Sequence, residues 1–588
     1  MNRISRRFVL YTPLALVVAA ALSVGTASYA YIRLATSSTG AVGLYWAAQP
    51  VSFAIHSSGS DDLLEDDRDL AAVRMAFETW QRTGESALQF SENHAVAVVD
   101  GVKQARNDGN NVVIFDENNS TGLFSGASFV VAITPVFFDT ASGRILDADI
   151  VFNGANHSFT TRPGATGESG KYDIQNIATH EVGHFVGLDH SAVHGATMVP
   201  YATPGETRLR SLSSDERAAL RTVYPGGAPV GAISGVVTHR STGSGVNGAH
   251  VVATRVDTGE TATSVLSSSN GSFVVTGLMP GLYSVFAEPL DGPTRDGNIQ
   301  RNGVDTGFAT TFAGSLDYPE AVGVSSGQST SIGTIAVAPG SGLNVEAALP
   351  RTVRRGVRTP LYVQRPVGAP SLQGCSVEIT GSGISYDPTV GSGGRIAVTV
   401  SAGTRPGMRD VILRRGSGTS REMVILAGGL EIVADPPHLS AITPEGAPAV
   451  GGTVVEIMGM DFEPGIRIAF GDQVVPLGDV VFDRSTSLTV VTPPAYSGPV
   501  LVTVINPDGQ ESRLEGGFQF TGPDGLRESK SASYTYVPVQ SAPQPTRSGG
   551  GGCSLAGEGT PAAPLPLLLL VAILALAYPG RYDRSRTA

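Results

Sequence analysis

The chain has 588 residues, of which 16% are charged, and its formal net charge is −12. This length is too great for a single hydrophobic core and predicts about four domains. The acidic balance, without a basic stripe, argues against a nucleic-acid partner, and the presence of only two cysteines excludes a disulfide framework.

Residues 1–30 have the pattern of a secretory signal peptide. Three arginines within the first seven residues precede a mostly apolar run from Phe8 to Val24, and Ser28-Tyr29-Ala30 supplies small residues for cleavage. An uncleaved anchor helix is the alternative. In both cases we expect the chain that follows to be exported from the cytoplasm.

The stretch 61–69 is rich in acidic residues. Its carboxylates could hold Ca²⁺, which prefers oxygen ligands. The alternative is a solvated loop that leads into the acidic first turn of a helix, where negative charge is favourable.

Residues 180–190 fit the pattern H-E-x-x-H-x-x-G-x-x-H. His180 and His184 are four residues apart, so on a helix they share one face and can share one metal ion. Glu181 can act as general base beside that metal. Gly187 permits the turn that ends the helix, and His190 then returns as a third ligand. Three protein ligands leave a position open, as in a catalytic zinc site.

These residues resemble the metzincins and, within them, the matrixins. Ser191 after the third histidine is the matrixin choice, and Met198 lies where the family places a methionine under the zinc. The resemblance covers roughly residues 40–225 and predicts a domain over residues 31–226. It implies an α+β catalytic domain, a twisted sheet plus three helices, with one catalytic Zn²⁺. It also implies that a water activated by the metal attacks a peptide bond, with Glu181 as the base.

The resemblance predicts further elements of this domain. Val51–Ile55 resembles the first strand, and Ala71–Phe90 resembles the first helix and the entry to the next strand. Leu212–Tyr224 resembles the closing helix, where Ser213 and Glu216 have the spacing of a capping box. Residues 143–153 resemble the edge strand that lines the cleft, so the predicted substrate-binding residues are Ile150, Val151, Phe152 and Asn153.

The chain also departs from the animal matrixins. No cysteine switch precedes the catalytic region, and the wall after Met198 reads Val199-Pro200-Tyr201, so pocket specificity cannot be transferred. His94, His157 and His194 are interpreted as solvated loop residues rather than as further ligands.

From Pro225 onward, short alternating strands separated by Gly, Asn, Asp and Pro predict about three all-β sandwich domains. Residues 231–342 resemble a carboxypeptidase regulatory-like domain, through Ser234-Gly235-Val236-Val237 and Asn270-Gly271-Ser272-Phe273. Residues 343–434 predict a further sandwich without a recognisable motif, in which Cys375 is expected to be a small buried hydrophobe. Residues 437–521 resemble an IPT/TIG domain, through Gly451-Gly452-Thr453 and Asn506-Pro507-Asp508-Gly509.

The C-terminal region begins with a Pro/Gly-rich tether, residues 522–552. Residues 553–588 contain Cys553, an apolar run from Pro561 to Tyr578 and a basic end, and they resemble the MYXO-CTERM class of bacterial sorting tails. The resemblance implies processing at or near Cys553 and display on the outer envelope, anchored or released. An ordinary C-terminal membrane anchor is the alternative.

The sequence thus predicts a secreted or surface-anchored zinc endopeptidase (a hydrolase of the metalloprotease class) that acts on extracellular proteins or peptides. One alternative is a surface adhesion protein with a vestigial protease domain. Another is a protease that mainly processes its own chain.

Overall fold

The computed structural model describes residues 31–36, 42–63, 68–94, 106–124, 126, 128–165, 167–299, 301–314, 319–340, 342–416, 422–471, 473–523 and 567–575. The predicted export signal, most of the tether and Cys553 lie outside these residues. No helix among them is long and apolar enough to cross a membrane.

In its described residues, the N-terminal domain combines a twisted sheet with three α-helices. Its strands are β1 Val51–Ile55, β2 Phe90–Glu92, β3 Val112–Phe115, β4 Val130–Phe138, β5 Ile145–Ala148, β6 Ile150–Phe152, β7 Phe159–Thr160, β8 Tyr172–Asp173 and β9 Tyr201–Ala202. Its helices are α1 Arg68–Gln81, α2 Ile174–Phe185 and α3 Ser214–Val223.

The order of strands in the main sheet is β2-β1-β3-β6-β4, with β5 also paired to β4. The pairs β1/β2, β1/β3 and β3/β6 are parallel, whereas β4 runs antiparallel to β6. Helices α1 and α2 pack against each other, and the Trp80 indole N–H on α1 donates to the Thr179 carbonyl on α2 at 2.8 Å. The site-bearing helix is thereby fixed to the first helix as well as to the sheet.

The acidic stretch before α1 has a structural use at its C-terminal end. One oxygen of Asp69 accepts from the Ser60 backbone N–H at 2.7 Å, and the other accepts from the Leu70 N–H at 2.8 Å. Its carboxylate therefore satisfies backbone donors where the helix begins. Residues 64–67 lie outside the described part of the chain, and the calcium site stays a prediction.

Within the described residues, three successive pairs of sheets follow the N-terminal domain, and we call them the second, third and fourth domains. The second contains β10 Gly231–His239, β11 His250–Arg255, β12 Thr261–Leu266, β13 Ser272–Leu278, β14 Gly281–Glu288, β15 Thr311–Phe312, β16 Val322–Val324 and β17 Ser329–Val337. The third contains β18 Ala347–Leu349, β19 Thr352–Arg354, β20 Arg358–Gln364, β21 Ser376–Ile379, β22 Ile384–Tyr386, β23 Arg395–Val400, β24 Gly407–Arg415 and β25 Glu422–Val433. The fourth contains β26 His438–Thr443, β27 Gly446–Pro448, β28 Val454–Met460, β29 Arg467–Phe470, β30 Gln473–Val474, β31 Val480–Arg484, β32 Ser487–Val491, β33 Gly498–Ile505 and β34 Glu511–Thr521.

Alternating side chains from both sheets of each pair form the cores of these domains, as the period-two patterns predict. The third and fourth domains each have their own cluster of buried apolar residues. Cys375 is fully buried in the cluster of the third domain, which confirms its interpretation as a small hydrophobe. The core of the second domain is instead continuous with that of the N-terminal domain.

All three β domains contact the N-terminal domain. The second packs against α3, where the Arg221 Nε–H donates to the Gly277 carbonyl at 2.9 Å. The third packs Met408 against Val193 and Ala196. The fourth places a carboxylate 2.5 Å from the buried Arg210 guanidinium.

One of these contacts overturns the interpretation of His194 as a solvated residue. Its side chain is 2% exposed, because the third domain covers it, and its backbone N–H donates to the Ala427 carbonyl at 2.8 Å. His94 is exposed and His157 is half-buried. The sequence pattern of a loop does not reveal that another domain packs on it.

The last described segment, β35 (Leu567–Ala575), lies between β4 and β9. It runs antiparallel to β4 and parallel to β9. Part of the apolar run that the sequence analysis assigns to a membrane segment thus forms a strand on the main sheet.

Candidate metal centre

The helix α2 presents the first two histidines of the motif. It begins after Asp173, whose carboxylate accepts from the Asn176 backbone N–H at 2.8 Å, a typical N-cap bond. All twelve residues of α2 are buried, so packing on every side fixes the directions of His180 and His184.

The turn after α2 brings the third histidine back, as the motif predicts. Gly187 has φ +95°, and a Cβ atom added there would lie 2.5 Å from the Leu44 carbonyl oxygen. Both the backbone conformation and the close approach of another segment therefore require glycine. The chain turns at this point and brings the His190 ring to within 5.4 Å of the His180 ring and 4.8 Å of the His184 ring, between centroids.

His180, His184 and His190 converge, and one ring nitrogen from each lies within 4.8 Å of the others. Within the described residues, they are the one set of three or more potential ligands close enough to share a metal ion. Burial, followed by the neighbouring His190, lowers the pKa of His180 to about 3. Burial also holds the pKa of His184 well below its ordinary value. Neutral imidazoles are the form that binds metal.

The hydrogen bonds of the three rings show that the site fits a cation. Each Nδ1 contacts a backbone carbonyl oxygen: Thr197 for His180 at 2.8 Å, Leu188 for His184 at 2.9 Å, and Asn298 for His190 at 2.5 Å. A carbonyl only accepts, so each Nδ1 carries the proton and each Nε2 carries a lone pair. The Nε2 atoms of His180 and His184 face each other at 3.1 Å, and two lone pairs at that distance need a cation between them.

Glu181 follows His180 on α2 and is fully buried. The Thr134 hydroxyl on β4 donates to its Oε2 at 2.5 Å, and Oε1 has no hydrogen-bond partner among the described residues. Burial raises the pKa of Glu181 to about 8, and the bond from Thr134 opposes this shift. A carboxylate whose proton affinity is raised suits a general base.

Met198 packs directly beneath α2. A Cβ added to Gly183, between the two histidines, would lie 2.1 Å from its Sδ and 2.9 Å from Trp80 Cζ2. Met198 is 1% exposed, and its N–H donates to Glu216 at 3.0 Å. Its position under the site agrees with the position that the resemblance implies.

The first turn of α3 links the site to the second domain. The Ser191 hydroxyl donates to Asp215 at 2.7 Å, and the same carboxylate accepts from the Thr263 hydroxyl at 2.8 Å and the Ser264 N–H at 3.0 Å. The predicted capping box of Ser213 and Glu216 is present. Asp215 was not singled out from the sequence, because its second set of partners belongs to another domain.

The predicted substrate-binding strand is wrong. Ile150, Val151 and Phe152 form β6, which is buried and paired with β3 on one side and β4 on the other. Asn153 is buried and uses its side-chain amide to donate to the Val130 carbonyl at 2.7 Å. A strand paired on both sides has no backbone groups left for an added peptide.

The strand that borders the site is β4. It carries Thr134, the partner of Glu181, and also Pro135. β4 pairs with β5 and β6 on one side and with β35 on the other, so only the removal of β35 would free its backbone groups for an added peptide. No local signal identifies Asn298, which lies 108 residues from the histidine it contacts.

Comparisons with known families agree with this arrangement. Residues 45–225 match the Matrixin family, residues 232–306 match the Carboxypeptidase regulatory-like domain, and residues 437–521 match the IPT/TIG domain. The chain therefore contains a matrixin domain followed by mostly all-β domains with few helices.

Metalloendoproteinase 1 from Glycine max is 25% identical over 159 residues, which are 27% of this chain and 46% of that protein. Metalloendoproteinase 2-MMP from Arabidopsis thaliana is 33% identical over 90 residues, 15% of this chain and 22% of that protein. The hatching enzyme of Paracentrotus lividus is 31% identical over 107 residues, 18% of each chain. This chain spans less than half the length of these curated relatives.

Among solved structures, SGBP-B from a xyloglucan utilization locus of Bacteroides uniformis has 18% identity and a TM-score of 0.15. It covers 30% of this chain and 48% of that one. The 5-hydroxyisourate hydrolase of Klebsiella pneumoniae has 19% identity and a TM-score of 0.12, and the match covers 19% of this chain and 87% of that one. Scores this low carry no argument about fold or function.

Proposed function

We propose that this protein, which contains a matrixin domain, is a zinc-dependent endopeptidase that hydrolyses extracellular proteins or peptides. One observation carries the proposal: three buried histidines, each with Nδ1 bonded to a backbone carbonyl, bring one ring nitrogen each within 4.8 Å of the others, and the buried Glu181 is next to His180 on α2. Structural zinc sites usually have four protein ligands, whereas three ligands with an adjacent carboxylate are typical of a catalytic site.

His180, His184 and His190 would hold the zinc ion. When bound, it supplies a Lewis acid that polarises the peptide carbonyl and favours ionisation of water. Glu181 accepts a proton from the attacking water at Oε1, the oxygen without a partner among the described residues, and passes it to the leaving amine. Thr134 holds the other oxygen and so fixes the direction of the carboxylate.

The space between β4 and β9, which β35 occupies and which we call the groove, supports an extended peptide as the substrate. The strand β35 already lies there, antiparallel to β4 and parallel to β9. In its register Val571 is opposite Thr134, the residue that contacts Glu181. An extended chain added to β4 therefore passes the general base, in the manner of β-strand addition.

The test uses the full chain. We expect about one zinc per chain and chelator-sensitive cleavage of casein. Glu181→Gln should keep the zinc and lose at least about 100-fold in turnover, whereas Glu168→Gln, a matched change at a surface pair with Lys171, should behave like wild type. Zinc binding without cleavage, both by the wild type and by a chain that ends at Pro523 and so lacks β35, would favour the adhesion alternative. Undiminished cleavage by Glu181→Gln would refute the role of the base.

We also propose that the protein is exported and displayed on the cell envelope, anchored or released. The basic, then apolar, N-terminal pattern supports this. Fractionation of cells with an antibody to the fourth domain tests it, because a cytoplasmic pool alone would contradict the proposal.

A further inference from the structure

The third histidine of the site differs from the other two in where its hydrogen-bond partner comes from. His180 and His184 donate to carbonyls of the matrixin domain itself. His190 donates from Nδ1 to the carbonyl of Asn298, at 2.5 Å, and Asn298 belongs to the second domain. A partner on Nδ1 sets both the tautomer and the direction of a metal-binding imidazole.

The Asn298 carbonyl is held in place by its own side chain. Oδ1 accepts from the Arg295 N–H at 3.0 Å and lies 2.8 Å from the Tyr201 hydroxyl. The Asn298 N–H also donates to the Arg295 carbonyl at 2.9 Å, which closes the short 3₁₀ turn Asp296–Asn298. The Tyr201 hydroxyl also contacts the Pro293 carbonyl at 2.6 Å. The side-chain amide therefore fixes the turn whose carbonyl faces His190.

The loop around this turn packs on the segment just after the third histidine. Leu290 and Ile299 are buried in one apolar cluster, against which Ala192 packs. The Thr294 hydroxyl lies 3.4 Å from the Ser191 carbonyl. The loop thus contacts both the histidine and the chain that carries it.

The second domain cannot easily shift relative to the site. A Cβ added to Gly277 would lie 2.3 Å from the Ala218 carbonyl on α3, and Asp215 on the same helix accepts from Thr263 and Ser264 of the second domain. Buried apolar residues of both domains form one continuous cluster. Close packing of this kind transmits position rather than allowing drift.

We infer that the second domain completes the metal centre, and that Asn298 is a positioning residue for His190. This inference rests on the proposed zinc function. The second domain would also support one border of the groove, because Tyr201, which Asn298 contacts, lies in β9. The carboxypeptidase regulatory-like domain is then part of the enzyme's working site rather than a spacer.

The test measures zinc affinity in the full chain, by competition with a chromogenic chelator. Asn298→Ala removes the acceptor that holds the turn, and we expect zinc affinity to fall about 10–100-fold. Asn298→Asp keeps an acceptor at the same position and should restore affinity to near the wild-type value. Asn270→Ala, a matched change at an exposed turn of the same domain, where Oδ1 accepts from the Ser272 N–H, should leave it unchanged.

Equal zinc affinity in wild type and Asn298→Ala, with both folded by thermal melting, would overturn the inference while leaving the proposed function intact. Absence of zinc binding by the wild type would instead refute the proposed function together with the inference. If Asn298→Ala does not fold, Tyr201→Phe provides the second variant, because it removes only the hydroxyl that contacts Asn298 and Pro293. A several-fold faster loss of zinc from Tyr201→Phe supports the inference, and an unchanged rate contradicts it.

Discussion

Gly183 and Met198 should be strongly coupled, because no space separates them. Gly183→Ala places a methyl group 2.1 Å from Met198 Sδ and 2.9 Å from Trp80 Cζ2. Ordinary contacts between non-bonded atoms are about 3.5–4.0 Å long. The difference between this length and the 2.1 Å distance to Met198 Sδ means that the methionine or the helix must move by more than about 1 Å. Both neighbours are buried, at 1% and 0% exposure, and neither can move into solvent.

The magnitude follows from two opposing effects. Overpacking a core costs about 1–3 kcal/mol, whereas replacing glycine by alanine inside a helix gains about 1 kcal/mol. Gly183→Ala should therefore destabilise the wild type by up to about 2 kcal/mol. Met198→Ala alone should cost about 2–5 kcal/mol, because it leaves a cavity.

The sign of the glycine substitution should reverse in the Met198→Ala background. The clash is then absent, the helix gain remains, and the new methyl fills part of the cavity, worth about 0.8 kcal/mol. Gly183→Ala should therefore stabilise that background by about 1–2 kcal/mol. The resulting coupling between the two positions, the difference between these two effects, is about 1–4 kcal/mol.

The assay is urea unfolding of the chelator-treated full chain, followed by tryptophan fluorescence. The chain has two tryptophans, Trp46 and Trp80, both in the matrixin domain, so the signal reports on that domain within a chain that need not unfold in one step. Met75, also buried in this domain, supplies the control, since Met75→Ala and Gly183→Ala should be additive. Additive effects of Gly183→Ala and Met198→Ala, within about 0.5 kcal/mol, would refute the packing that places Met198 under the site.

Three further predictions concern the surroundings of the site. Arg210→Ala leaves the Asp173 carboxylate at the start of α2 buried without its cation and should lower the free energy of unfolding by about 3–5 kcal/mol in the same urea assay. Lys171→Ala, at the surface pair with Glu168, should lower it by less than about 1 kcal/mol. Equal losses of stability in the two variants would contradict the role of burial. Burial, with the charges of Arg351 and Arg208, holds the pKa of His194 well below 6.5 in the folded chain. As the pH falls below 6.5, His194 therefore becomes protonated in the unfolded chain but stays neutral in the folded chain. This difference should lower the free energy of unfolding of the wild type by up to about 1.4 kcal/mol per pH unit. His194→Gln should lack that share of the acid-dependent loss between about pH 7 and pH 5, and an identical pH profile would show that the third domain does not bury the ring. A chain that ends at Pro523 lacks β35, which frees one side of β4, so its kcat/KM for an unstructured peptide should rise. Val571→Pro in the full chain should also raise kcat/KM, because proline cannot donate to the ladder between β35 and β4. Equal kcat/KM in the wild type and both variants would show that β35 does not compete with substrate.

Sequence alone identified the residues of the site that act through local geometry. His180 and His184 share a helix face because four residues make about one turn, and Gly187 is required where φ is positive. The capping box of Ser213 and Glu216 likewise spans a single turn. Such features depend on spacing along the chain, and spacing is visible in the sequence.

Tertiary structure decided which strand borders the groove and which residues support the ligands. Residues 150–152 and β4 are both apolar runs, and only the order of strands shows that the first is internal and the second lies beside Glu181. The burial of His194 depends on the third domain, and the partner of His190 comes from the second. Contacts between residues more than 100 positions apart depend on how separate domains pack, and no periodicity within one segment encodes that packing.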